Sequence, residues 1–271
     1  MRKMSIALQV FSIREEAEKD FRGTMKQVKE MGYDGVELAG LYNYSPEEIR
    51  DILAETGLKP ISAHVPYQTL IADMEGTIRQ YVTIGCPYIV IPYLTEEHRP
   101  GCDNFDEVIE NIKKIGKLCK EQNVVLLYHN HDFEFIKMNN GQYGLDYLYE
   151  KVAAEYLQTE IDTCWVGVSG LDPAEYVKKY TGRAPIVHLK DYVGKKSDHM
   201  YELIGIASEK KESEEFAFRA VGSGVQNFPA ILKAADEAGA DWVVVEQDMH
   251  DQNTALEDAR ISILYLKTIG L

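Results

Sequence analysis

Two histidines and two acids crowd the end of one apolar run in "VVLLYHNHDFEF" (124–135): His129, His131, Asp132 and Glu134. Imidazole nitrogens and carboxylate oxygens are the donors that hold first-row divalent cations and move protons near neutral pH. One such corner proves little, because two histidines beside a carboxylate also make plain hydrogen-bonded turns. The same residue types recur where other apolar runs stop. Glu37 lies in "GVELA", His64 in "PISAHV", Asp162 in "EIDTCW", His188 and Lys190 in "PIVHLK", and Glu246 and Asp248 in "WVVVEQD". Residues two apart on a strand face the same way, so His129 can align with His131, His188 with Lys190, and Glu246 with Asp248.

Each residue has a plainer use. Asp162 can cap a loop, and His188, between Val187 and Leu189, can be a satisfied core histidine. Glu246 is harder to dismiss, because a carboxylate buried unpaired after "WVVV" is costly. Taken together, no structural need makes six of eight strands carry His, Asp or Glu toward one end. A divalent cation under mixed N/O ligation does, and that donor set suits Mn2+, Co2+, Fe2+ or Zn2+ better than Ca2+.

Eight short β-rich runs have to position these groups: 5–11, 35–39, 60–65, 88–93, 124–131, 158–162, 185–190 and 242–247. Most are nearly continuous in Val, Ile and Leu, as parallel strands covered on both faces are. Amphipathic segments separate them. "FRGTMKQVKEMG" stops at Gly32, and "SPEEIRDILAETG" opens with Ser45 as N-cap and Pro46 in the first turn and closes at Gly57. This α/β pattern predicts a (β/α)8 TIM barrel, a single domain over 1–271. An insertion at about 192–225 falls in the connection from strand seven to helix seven. A doubly wound open sheet is the alternative. Within the insertion, "SEKKESEE" (208–215) reads as a solvated loop or short helix, or as a lid, and "VGSG" (221–224) as a turn or a phosphate cradle. In such barrels chemistry sits at the C-terminal ends of the strands.

The chain has 271 residues, 45% apolar and 27% charged, with a formal net charge of −15. No basic stripe stands out, so nucleic acid is not an expected partner. The unpaired pattern of Cys86, Cys102, Cys119 and Cys164 suits free thiols in a reducing cytosol. "MRKMSIALQVFSI" reads as a buried first strand, and no apolar stretch approaches the roughly 20 residues of a membrane span. A cytoplasmic protein without a membrane partner is expected.

The stretches "GYDGVEL", "YHNHDFEF", "EIDTCWV", "IVHLKD" and "VVVEQD" resemble the sugar phosphate isomerase/epimerase group. These are xylose-isomerase-like TIM barrels related to ketose 3-epimerases, inosose dehydratase and endonuclease IV. The resemblance runs from the first strand to the eighth. It implies one divalent metal ion, held in the group by Glu, Asp, His and Glu on strands five to eight. Those positions fall on His129, Asp162, His188 and Glu246, with His131 the other strand-five candidate. His129 stands where epimerases carry the glutamate of a two-base pair, so this chain keeps only Glu246 of that pair. Trp165 stands where a histidine is common, and its ring either stacks on a sugar or simply packs.

The expected activity is isomerisation or epimerisation of a keto-sugar or sugar phosphate, by proton abstraction and a metal-stabilised enediolate. The alternative is a lyase or dehydratase acting on a 3-keto-sugar or keto-inositol, which needs only one strong base. On either reading Glu246 takes the α-proton, and His131 or Glu134 returns or relays one. Lys190 and His64 hydrogen-bond hydroxyls or a developing oxyanion, Glu37 accepts from a hydroxyl, and Phe11, Tyr67 and Trp165 offer apolar faces to a sugar ring. The partner is then a small carbohydrate, in a possible homo-oligomer. Two further readings are a non-catalytic sugar-binding barrel and a nuclease of the endonuclease IV type. The second is opposed by the acidic charge and only seven histidines.

Overall fold

Runs of Val, Ile and Leu bury both faces of a strand only if helices cover one side and neighbouring strands the other. The computed structural model, which describes residues 4–196 and 216–271, solves this by closure. The barrel strands are β1 (Ser5–Gln9), β2 (Gly35–Ala39), β3 (Lys59–His64), β4 (Tyr88–Ile91), β5 (Val125–His129), β6 (Gln158–Asp162), β7 (Ile186–Leu189) and β10 (Trp242–Val245). They pair in parallel in the closed order β1-β10-β7-β6-β5-β4-β3-β2, so the open doubly wound sheet is ruled out.

Local signals stop and start the helices as their residues dictate. Gly32 (φ 102°) and Gly57 (φ 74°) end the helices Phe21–Met31 and Pro46–Thr56 in the left-handed conformation that glycine adopts without strain. Ser45 and Glu48 form a reciprocal capping box at the start of Pro46–Thr56.

Alternation along the strands sorts the barrel interior into layers. Ala7, Ile61, Val90, Leu127, Ile186 and Val244 make a buried apolar plug. Two residues further along their strands, Gln9, His129, His188 and Glu246 follow on the same side. An apolar floor therefore lies beneath a polar layer at the C-terminal end.

The connection after β7 contains an antiparallel hairpin absent from the sequence-based reading: β8 (Asp191–Gly194) pairs with β9 (Phe216–Arg219). Its Phe216 and Phe218 form a small buried cluster with Cys164 and Trp165. The "SEKKESEE" stretch lies outside the described residues. Among the described residues no helix is long and apolar enough to cross a membrane.

Candidate metal and catalytic site

A cavity of about 470 Å³ opens at the C-terminal end of the barrel, and Phe11, His64, Tyr93, His129, His131 and Lys190 line it together with Glu246 and Asp248. Beneath it the chain converges four potential ligands. His129, Asp162, His188 and Glu246 are all buried, and one donor atom from each lies within 4.8 Å of the others. His129 Nε2 is 3.6 Å from Asp162 Oδ2 and 4.0 Å from Glu246 Oε2, while His188 Nδ1 is 3.2 Å from Glu246 Oε2.

Asp162 forms the cap that the sequence allowed and still presents an oxygen to the candidate site. Its Oδ1 caps the helix Thr163–Val168, accepting from the backbone N–H of Cys164 (2.8 Å) and Trp165 (3.2 Å). That fixes the rotamer and leaves Oδ2 buried at the site, accepting no hydrogen bond. The Asn130 amide ties the ends of β5 and β6 together, accepting from Asp162 N at 3.0 Å and donating to Asp162 O at 3.3 Å.

A second polar layer underlies the first. Glu160, two residues before Asp162 on β6, accepts from His64 Nε2 (2.8 Å), His129 Nδ1 (3.1 Å) and His188 Nε2 (3.0 Å). Glu37 Oε1 sits 2.8 Å from His188 Nε2 and accepts from Gln9 Nε2 at 2.7 Å, while Ser62 Oγ donates to Oε2 at 2.5 Å. These carboxylates turn His129 Nε2 and His188 Nδ1 toward the upper group, as partners of metal-binding histidines commonly do.

The electrostatics follow from burial set against neighbouring charge. Burial opposes ionisation of Glu246, but Lys190 and His188 hold its carboxyl well below the usual range. Burial also opposes the Lys190 ammonium, yet Asp162, Asp248 and Glu246 outweigh it and keep the group charged. Asp248 is pushed up to about 6 by burial, against the pull of Lys190. His131 is held neutral by burial and by the charge of Lys190, and its Nδ1 is buried without a partner. Its ring stacks on Phe133 (centroids 5.5 Å, planes 4° apart), and Tyr93 meets it edge-on.

Three of the sequence-predicted substrate residues lie outside the cavity wall. Glu37 is fully buried beneath His64. Glu134 faces back into the fold, accepting from Tyr128 Oη (2.6 Å) and His131 N (2.8 Å), which shapes the His-Asn-His turn. Trp165 is fully buried behind His131, with the Lys190 ammonium 5.4 Å from its ring, and presents no face to the cavity. Tyr67 is also buried, its hydroxyl taken by Asn111. Of the predicted aromatic faces only Phe11 lines the cavity, and the missed Tyr93 joins it. Glu160 was missed too, although the two-residue rule that paired 188 with 190 reaches from Asp162 back to Glu160.

The "VGSG" loop holds no open phosphate cradle. Asp191 fills it with its own carboxylate, accepting from the backbone N–H of Gly222 (3.0 Å), Gly224 (2.8 Å) and Gln226 (3.1 Å).

The family described as "Xylose isomerase-like TIM barrel" matches residues 25–269. The chain belongs to this family. An inosose dehydratase of Bacillus cereus (strain AH820) is 23% identical over 266 residues, covering 86% of this chain and 83% of that protein. A sugar phosphate isomerase/epimerase from Parabacteroides distasonis ATCC 8503 superposes with TM-score 0.77 at 20% identity, over 98% of this chain and 94% of that one. The IOLI protein, crystallised with a bound zinc atom, superposes with TM-score 0.72 at 15% identity over 98% of both chains. At these identities the structural matches speak for the fold alone.

Proposed function

We propose that this barrel is a metal-dependent lyase that removes water from a keto-inositol or 3-keto-sugar, beginning with abstraction of the proton α to the ketone. The observation that carries the reading is the asymmetry of the site. Glu246 is an ionised carboxylate in the cavity wall, and the strand-five position across from it holds His129, paired to Glu160. Epimerisation by two bases needs a proton acceptor on each face of the substrate, whereas elimination needs one. The similarity to an inosose dehydratase supports the same choice.

His129, Asp162, His188 and Glu246 would hold the ion, and Asp162 Oδ2, which accepts no hydrogen bond and has the Lys190 ammonium 3.2 Å away, fits that use. Bound there, a Mn2+, Co2+, Zn2+ or Fe2+ ion supplies Lewis acidity toward a carbonyl. The chain's own groups do the rest. Glu246 takes the α-proton, and Lys190 donates to a substrate oxygen from an ammonium held between carboxylates. His131, neutral and free at Nδ1, relays the proton. His64 and the faces of Phe11 and Tyr93 enclose the ring. In balance, a C–H bond and the C–O bond beside it break, a C=C bond forms, and the hydroxyl leaves as water.

Incubating the protein and Mn2+ with inosose or 3-keto-glucose in D2O tests this by mass spectrometry. Loss of one water with an enone chromophore is expected. Deuterium uptake at unchanged composition would instead make the protein an epimerase or isomerase.

A further inference from the structure

Four atoms of the lower layer alternate in a closed ring. Its edges are 2.8 Å (His64 Nε2 to Glu160 Oε1), 3.0 Å (Glu160 Oε1 to His188 Nε2), 2.8 Å (His188 Nε2 to Glu37 Oε1) and 3.0 Å (Glu37 Oε1 to His64 Nε2). Donors bound at right angles to one first-row cation, at bond lengths of about 2.0–2.2 Å, lie about 2.8–3.1 Å apart. The edges of the ring match that spacing. His129 Nδ1 stands 3.1 Å from Glu160 Oε1, and His64, His129, Glu160 and His188 form a group whose donor atoms all lie within 4.8 Å of one another.

We propose that this ring is a second divalent-cation site, one layer beneath the first, and that His129 and His188 would join the two sites through opposite ring nitrogens as imidazolates, each releasing its ring N–H proton to solvent. It goes beyond the single-ion reading above.

Two further observations support it. Glu160 Oε2 is buried with no hydrogen-bond partner, in a fully buried residue, so the carboxylate has coordination capacity that the protein leaves unused. Glu37 is fixed by two neutral donors, Gln9 and Ser62, the kind of support that orients a ligating carboxylate.

The test uses the full chain, stripped with a chelator, saturated with Co2+ and freed of excess. The cobalt-to-chain ratio is measured by plasma mass spectrometry, and sites are located by anomalous diffraction. Two equivalents and two peaks are expected in the unaltered protein. Glu160→Gln should reduce the ratio to one and keep the peak at Asp162 and Glu246. His64→Gln, at a partly exposed position, should do the same and decides the matter if Glu160→Gln does not fold. One equivalent at saturation with no peak in the ring, or two in both variants, overturns the proposal. A peak in the ring with none at Asp162 supports the ring and sinks the single-ion reading; the reverse sinks the ring alone.

Discussion

The Lys190 ammonium lies 2.8 Å from Glu246 Oε2 and 3.2 Å from Asp162 Oδ2, two of the oxygens that the upper group offers to a cation. A fixed positive charge thus competes for the place of a divalent ion. At an effective dielectric constant of about 20, two unit charges 4 Å apart interact by roughly 4 kcal/mol. Lys190→Met should therefore tighten Mn2+ binding by about tenfold or more in calorimetric titration, while lowering turnover, since the donor to substrate is gone. Weaker Mn2+ binding would show that Lys190 supports the ion instead.

Asp162→Asn separates the observed helix cap from the proposed ligand role of one side chain. Asparagine keeps an oxygen to accept from Cys164 and Trp165, so the cap survives, but it puts an amide N–H₂ where Oδ2 stood. The melting curve should stay near that of the unaltered protein. Metal affinity should fall by more than the roughly 10–100-fold seen when only the supporting partner of a ligand is changed.

Glu134 gives a pH signature. Burial pushes its carboxyl up to about 8, against the pull of Tyr128 and the His131 backbone. Its folded pKa is above the unfolded value, so the protonated form is favoured on folding. Its stability is full below about pH 4 and is lost as pH rises through about 8. Glu134→Gln can still accept from His131 N and can donate to Tyr128 Oη, and it carries no proton to lose. Between pH 5 and 9 the variant should lose less stability than the unaltered protein, by an amount of order a few kcal/mol in denaturant titrations.

Asp191→Asn replaces an acceptor shared by Gly222 and Gly224 with a donor facing two N–H groups. Each orphaned donor costs about 1–3 kcal/mol, so the melting temperature should drop by several degrees, with the 221–226 loop the first region to exchange its amide protons.

Much of this was legible in the sequence because one rule applies throughout the barrel: a strand reverses its facing with every residue. That rule carried His129, His188 and Glu246 to the same end and brought Lys190 and Asp248 with them. It applied equally to Glu160, which was overlooked because "QTE" carries little apolar signal ahead of Asp162. Trp165 and Glu134 were placed by proximity in sequence to polar neighbours, but whether a ring or carboxylate faces the cavity is set by the turn after the strand. The helix Thr163–Val168 rotates Trp165 inward, and the backbone of His131 holds Glu134. The β8–β9 hairpin escaped notice because each of its strands has only four residues and their partners lie across the insertion.

The carboxylate of Asp191 has one more implication. Loops after the seventh and eighth strands of such barrels often hold phosphate through backbone amides, and here those amides are already committed to a negative charge supplied by the chain itself. A phosphoester would find that anchorage taken and an anion in its place. Under the proposed function, discrimination against phosphorylated substrates would then fall to a residue outside the four candidate metal ligands.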